Sequence, residues 1–306
     1  MELDRVAAEE WLRAHVEPTG PIELASDEPW ATVLRIPLRA GSAWFKACAP
    51  VQAFEPRLSA ALCARWPDRV AEVLAWEAEP AWLLLADAGT PIGVYGNPPE
   101  AWLQVLPAYA ELQRGETAHA SDHVAHGVPD LRLAALPARY EELLRAPLPL
   151  DGEELERLRA TVPQVEQLCE ELADAGIPET VQHDDLHMAN VYADGDRLRV
   201  LDWGDASISH PFASLVVTFH FLEEVTKLPR GDPWFARLRD AYLEPWGRAL
   251  GETFELAQVV GTVAHAVAWG RQRAALPADR RVRFDEAFAR LLRAALARAD
   301  ERRVIR

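Results

Sequence analysis

A chain of 306 residues, 49% hydrophobic and 26% charged, is long enough for one large domain or two lobes with ample core and too apolar to be disordered. Its formal net charge of −16 repels nucleic acid and anionic lipid, so neither is expected as a partner. Three scattered cysteines without a C-x-x-C pair argue against a disulfide framework or zinc knuckle. No apolar run resembles a secretory signal or approaches the roughly 18 residues of a membrane helix, and a cytoplasmic location is expected.

Val6, Ala7, Trp11 and Leu12 recur at helical spacing and predict a first helix over about 4–15 that buries them. Short β-prone segments follow at 21–25, 30–38 and 43–48, then a helix at 59–65 and an apolar strand at 82–87 running into Gly89. The densest Gly/Pro run of the chain lies at 88–99, where Gly89, Pro91, Gly93 and Gly96 precede Pro98 and Pro99. It marks the expected hinge, with residues 1–92 as a β-rich lobe and 93–306 as a mainly helical one. Beyond it, Trp102, Val105, Leu106, Tyr109 and Leu112 form a helical stripe over 101–113. Asp151 and Glu154 spell a capping box, and the helical segment it opens is interrupted at Pro163 and ends at Gly176. A hairpin signal at Asp194-Gly195 sits between strand-prone Val191, Tyr192 and Leu198, Val200. Helices are expected at 212–224, 234–246, 256–275 and 284–299.

The chemistry concentrates around that hairpin. Residues 183–190 read His-Asp-Asp-Leu-His-Met-Ala-Asn, and Asp202-Trp203-Gly204 closes the second strand. Folding the hairpin brings Asn190 and Asp202 to within a few residues of register, giving two oxygen ligands suited to Mg²⁺, while Asp185 stands nearby as a base. Lysine usage is a second signal. Of 32 basic residues only Lys46 and Lys227 are lysines, and Lys46 lies inside the alternating apolar run 43–48, where a charge is unusual.

The segment resembles the catalytic core of the aminoglycoside phosphotransferase-like family, small-molecule kinases of the choline kinase type that share the protein-kinase fold. The family's H-x-D-x-x-x-x-N and D-x-[GD] motifs fall on His183, Asp185, Asn190 and Asp202 without a gap. The resemblance implies an α+β, bilobal fold. By it Asp185 is the catalytic base, His183 buttresses the loop, and Asn190 and Asp202 ligate Mg²⁺. Lys46 contacts the nucleotide phosphates, where a compact ammonium acts as a point charge that arginine does not mimic, and Glu55 is its partner. ATP or GTP is the expected donor. A hydroxyl-bearing small molecule is the acceptor, and an aminoglycoside, amino sugar or amino alcohol would suit the acidic chain.

Three features depart from the family pattern. The turn expected to cover the phosphates, Ser26-Asp27-Glu28-Pro29-Trp30, holds no glycine. Glu55 precedes Pro56, which favours the first helical position, so Glu55 is expected at a helix start. Asp184 stands where the family commonly has glycine, and its carboxylate is expected to point to solvent. His187 is read as a loop anchor, Trp203 as a packing residue and Asp205 as a lesser metal candidate. A nucleotide-binding pseudokinase is the rival from another class. A dinuclear metallohydrolase built from His183, Asp184, Asp185, His187, Asp202 and His210 is the rival enzyme, but it has no need of Lys46 or Asn190.

Overall fold

The computed structural model describes residues 3–195, 197–229, 231–247 and 250–305. The chain begins with helix α1 (Arg5–His15), whose N-terminal amides of Val6 and Ala7 donate to the Asp4 carboxylate. Strands β1 (Glu23–Glu28), β2 (Ala31–Pro37) and β3 (Ser42–Cys48) follow, then α2 (Glu55–Arg65), β4 (Val73–Glu77) and β5 (Trp82–Ala86). These five strands form an antiparallel sheet in the order β1-β2-β3-β5-β4. The period of two in β3 sends Ala43, Phe45 and Ala47 to one face, where they pack with Leu34, Ile36 and Leu84 against Ala8 and Leu12 of α1. Trp11 joins them, its ring 5.9 Å from Phe45 and 5.6 Å from Trp82. Val6, expected in this core, is instead 70% exposed, because the helix turns Ala8 and Leu12 inward.

After β5 the chain forms β6 (Thr90–Pro91), a 3-10 turn at Ile92–Tyr95 and helix α3 (Pro99–Glu116). β6 pairs with β8 (Val191–Asp194), which pairs with β9 (Arg197–Val200). Gly89 has φ +96°, and a Cβ there would stand 2.1 Å from the Ala193 carbonyl oxygen, so only glycine permits this approach.

The helical elements are α4 (Ala120–Ala125), α5 (Leu136–Arg145), α6 (Gly152–Ala160), α7 (Val162–Asp174), α8 (Leu215–Thr226), α9 (Pro233–Leu243), α10 (Gly251–Ala274) and α11 (Ala278–Ile305). Between α7 and α8 lie β7 (Thr180–Gln182) and β10 (Ser207–Ser209), paired antiparallel with Gln182 opposite Ser207. The capping box at Asp151 forms with both hydrogen bonds, and the break between α6 and α7 falls at Thr161, two residues before Pro163. α10 is buried on most sides, as a core helix of mixed but mainly apolar composition must be. Strands β4, β6, β7 and β10 and helices α4 and α5 are additions to the sequence reading.

Two compact units result. The first comprises residues 1–112, 125–128 and 188–205, and the second 113–124, 129–187 and 206–306. The fold is α+β, an antiparallel sheet followed by a helical C-terminal part.

Candidate functional site

In the first unit, Lys46 is paired on both sides, opposite Val33 of β2 and Leu83 of β5, so it lies on an interior strand. Its neighbours in sequence face the α1 core, and the alternation sends Lys46 and Cys48 to the other face of the sheet. There its Nζ lies 2.7 Å from Glu55 Oε2 and 2.6 Å from Asp202 Oδ1. Glu55 opens α2 with Pro56 behind it, and it is 1% exposed. A carboxylate at this helix start is further favoured by the unpaired amides of the first turn.

Two carboxylates share one ammonium, and the triad therefore carries surplus negative charge. Burial opposes the charge on Lys46, but Asp202 and Glu55 hold its ammonium well above the usual lysine range. Burial raises the Glu55 carboxyl against the attraction of Lys46, and the nearby Asp202 charge adds to the rise. The Cys48 thiol donates to Glu55 Oε2 at 3.4 Å, and burial first, then the Glu55 charge, push its pKa well up. A thiol so placed is a hydrogen-bond donor and a poor nucleophile.

Asn190 and Asp202 bracket the β8–β9 hairpin. The Leu201 N–H donates to the Asn190 carbonyl at 2.9 Å, so the two candidate ligands sit one residue apart in register. Asp202 adopts φ +65° and its side chain is 51% exposed, which leaves carboxylate surface open to a cation. An amide oxygen and a carboxylate are hard donors of the kind Mg²⁺ takes. The residues after Asp202 are held to α2 and the turn before it. Gln52 Nε2 donates to Asp205 Oδ1 at 3.3 Å, and a Cβ on Gly204 would stand 2.6 Å from Gln52 Oε1 and 2.8 Å from Glu55 Oε2. Gly204 entered the sequence reading only as part of the D-x-[GD] motif and Gln52 not at all, since nothing local signals a contact across 152 positions. Trp203 is buried near Tyr109, a packing residue as expected.

In the second unit, the loop 183–187 leaves β7. His183 is fully buried, and its Nδ1 accepts the Asp185 backbone N–H at 3.3 Å. Leu186 is buried too, and its carbonyl accepts the Thr218 hydroxyl of α8 at 2.7 Å. His187 Nε2 lies 3.3 Å from Asp185 Oδ2 while its ring stacks on Phe221, 4.5 Å between centroids. Asp185 is thus flanked by a buried histidine and a stacked one.

Asp184 corrects the sequence reading. Its carboxylate does not reach solvent: the residue is 8% exposed, and the Ser207 hydroxyl of β10 donates to its Oδ2. A φ of +59° accompanies this inward placement. His210, a member of the metallohydrolase set, is buried with its Nδ1 accepting the Phe212 N–H, and burial lowers its pKa to about 3. Among the described residues no three His, Cys, Asp or Glu side chains converge on a metal position. That geometry disfavours a dinuclear site.

Comparison with known proteins follows the same line. The family model for the phosphotransferase enzyme family matches residues 23–259. None of the curated proteins matches the chain. Among solved structures, a choline/ethanolamine kinase family protein from Mesorhizobium loti is 17% identical, with 95% of this chain and 98% of that one covered and a TM-score of 0.61. An amicoumacin kinase in complex with AMP-PNP and Ca²⁺ is 11% identical, covering 96% and 94%, at 0.60. A GDP complex of an aminoglycoside 2′-phosphotransferase is 15% identical, covering 95% and 96%, at 0.63. At such identities the likeness is one of fold.

Proposed function

The chain belongs to the phosphotransferase enzyme family, and from that premise we propose that it moves the γ-phosphoryl group of ATP or GTP to a hydroxyl of a small molecule. The observation that supports this reading best is the Lys46 ammonium lodged between Glu55 and Asp202, at 2.7 and 2.6 Å. A mostly covered lysine sharing two carboxylates, its side chain 12% exposed, serves no packing need, and it suits a site where phosphate oxygens take up one share of its charge. The residues 1–92 form the nucleotide lobe in this reading, and 93–306 the catalytic and acceptor lobe.

Each residue then has a role. Lys46 pairs with the α- and β-phosphates, and Glu55 keeps it aimed. Asn190 and Asp202 would hold Mg²⁺, which would supply positive charge to offset that of the nucleotide phosphates. Asp185 takes the proton of the acceptor hydroxyl as its oxygen bonds to the γ-phosphorus. The bond from that phosphorus to the bridging oxygen breaks, and the nucleoside diphosphate leaves with the electron pair. His183 fixes the Asp185 backbone through the hydrogen bond from its N–H. The solved neighbours are named as complexes of AMP-PNP and of GDP, so both nucleotides belong in the test. An amine-bearing alcohol or amino sugar is the acceptor class favoured by the net charge of −16.

Purified protein is incubated with ATP or GTP, Mg²⁺ and a panel of hydroxyl compounds, and both nucleoside diphosphate and phosphorylated acceptor are measured. Acceptor-dependent release of diphosphate is expected. Nucleotide binding without turnover would instead identify a pseudokinase, and turnover without nucleotide a hydrolase.

A further inference from the structure

The left-handed turn at Asp184, φ +59°, is one that glycine, asparagine and aspartate tolerate best. A glycine would satisfy it, yet the chain places a carboxyl there and buries it. Burying a carboxyl is costly unless it is compensated. Compensation comes from two elements: the Ser207 hydroxyl of β10 donates to Asp184 Oδ2, and Arg271 of α10 is close enough to favour the charge. Ser207 is itself fully buried and opposite Gln182 in the β7–β10 pair. The loop that leaves β7 is therefore fastened back to the partner strand one residue before Asp185.

We propose that Asp184 is a positioning residue for phosphoryl transfer, its buried carboxyl anchoring the turn on Ser207 so that Asp185 is presented in one orientation. The inference rests on the reading of Asp185 as the base. Asp184 is hydrogen-bonded by the Ser207 hydroxyl from β10, and the charged groups that act on it are the Arg271 guanidinium of α10 and the Asp185 carboxylate of its own loop. Burial raises the Asp184 carboxyl to about 6, against the pull of Ser207 and Arg271 and with a push from Asp185. The charged anchor is accordingly complete above that pH and lost as pH falls through it.

The test compares Asp184→Gly, Asp184→Asn, Ser207→Ala and Asp185→Asn with the wild type. ADP release from ATP and Mg²⁺ is followed with choline, ethanolamine and kanamycin as hydroxyl probes, and with water as acceptor in their absence. Hydrogen exchange of the 183–187 segment supplies a readout independent of turnover. Glycine keeps the turn and deletes the anchor, so kcat should fall about 10- to 100-fold, as for loss of other groups that orient a reacting residue. The KM for nucleotide should stay within a few-fold, and exchange in the loop should quicken. Asparagine keeps the turn and an acceptor for Ser207. It should keep the slow exchange and give, at every pH, the partial kcat of the wild type with Asp184 protonated, so the decline of kcat as pH drops through about 6 disappears. If the glycine variant does not fold, Ser207→Ala carries the same expectation with a smaller loss. Wild-type kcat, pH profile and exchange in Asp184→Gly, or in Ser207→Ala, would overturn the proposal and leave Asp184 as a turn residue. Undiminished turnover in Asp185→Asn would remove the base assignment, and the positioning role with it. An inactive Asp185→Asn beside a wild-type-like Asp184→Gly would overturn the positioning role alone.

Discussion

Lys46 contributes through shape as much as charge, because its Nζ must fit between Glu55 Oε2 and Asp202 Oδ1 at under 3 Å from each. A guanidinium keeps the charge but spreads it over a planar fork. Lys46→Arg should therefore raise the KM for nucleotide and lower kcat, each by roughly tenfold, the size of one charge-assisted hydrogen bond lost. Wild-type kinetics in that variant would return Lys46 to a structural ion pair. Asp184 makes a separate prediction for stability. Its carboxyl titrates near 6 in the fold against a usual 3.8, so the folded state binds more protons between those values. Its contribution is present below about pH 4 and lost as pH rises through about 6, on the order of 2–3 kcal/mol. His210 and His265 act with the opposite sign, since burial lowers them to about 3 and about 4 and stability is lost as pH falls below the usual histidine value. The thermal midpoint of wild type minus that of Asp184→Asn isolates the aspartate, and should fall from pH 4 to 6 and then level. A flat difference would mean that Asp184 is not held in its raised state. Lys46 stood out in the sequence because a rare residue type broke an apolar alternation. The inward turn of Asp184 did not, because it depends on a positive φ and on a serine 23 positions away.

At the scale of elements, local signals carried and distant ones did not. The capping box at Asp151 and the break before Pro163 need only neighbouring residues, and both were legible. α5 carries its stripe at Leu136, Tyr140, Leu143 and Leu144 and was legible in principle. β4 was not, since it is an edge strand with no buried residue. The packing of Gly204 on Gln52 and Glu55 likewise exists only once α2 meets the segment after β9. Gly204→Ala should push Glu55 away from Lys46, lower the thermal midpoint and raise the KM for nucleotide by several-fold. An unchanged KM would show that the turn before α2 yields without disturbing the ion pair. Asp151→Ala supplies the contrast: loss of an N-cap costs about 1 kcal/mol of stability, and kcat should not change.

For the molecule as a whole the dominant property is charge. A surplus of 16 negative charges raises the local concentration of a cationic acceptor, and salt weakens that effect as the Debye length falls from about 10 Å at 0.1 M to about 3 Å at 1 M. The KM for an amine-bearing alcohol should rise over that range while a neutral sugar shows little change. A salt-insensitive KM for the best acceptor would remove the electrostatic argument and leave phosphoryl transfer standing. The family and the fold follow from the matched sequence and the architecture. The assignment of the base is what most directly decides how the chain works. Transfer of labelled γ-phosphate from ATP or GTP to the acceptors of the hydroxyl panel, measured for wild type and Asp185→Asn alongside their nucleotide affinities, tests it. The expected result is labelled product from the wild type, a rate about 10²- to 10⁴-fold lower in the variant, and affinities within a few-fold of each other. A variant that retains more than about a tenth of the wild-type rate, well outside the usual cost of losing a general base, would contradict it.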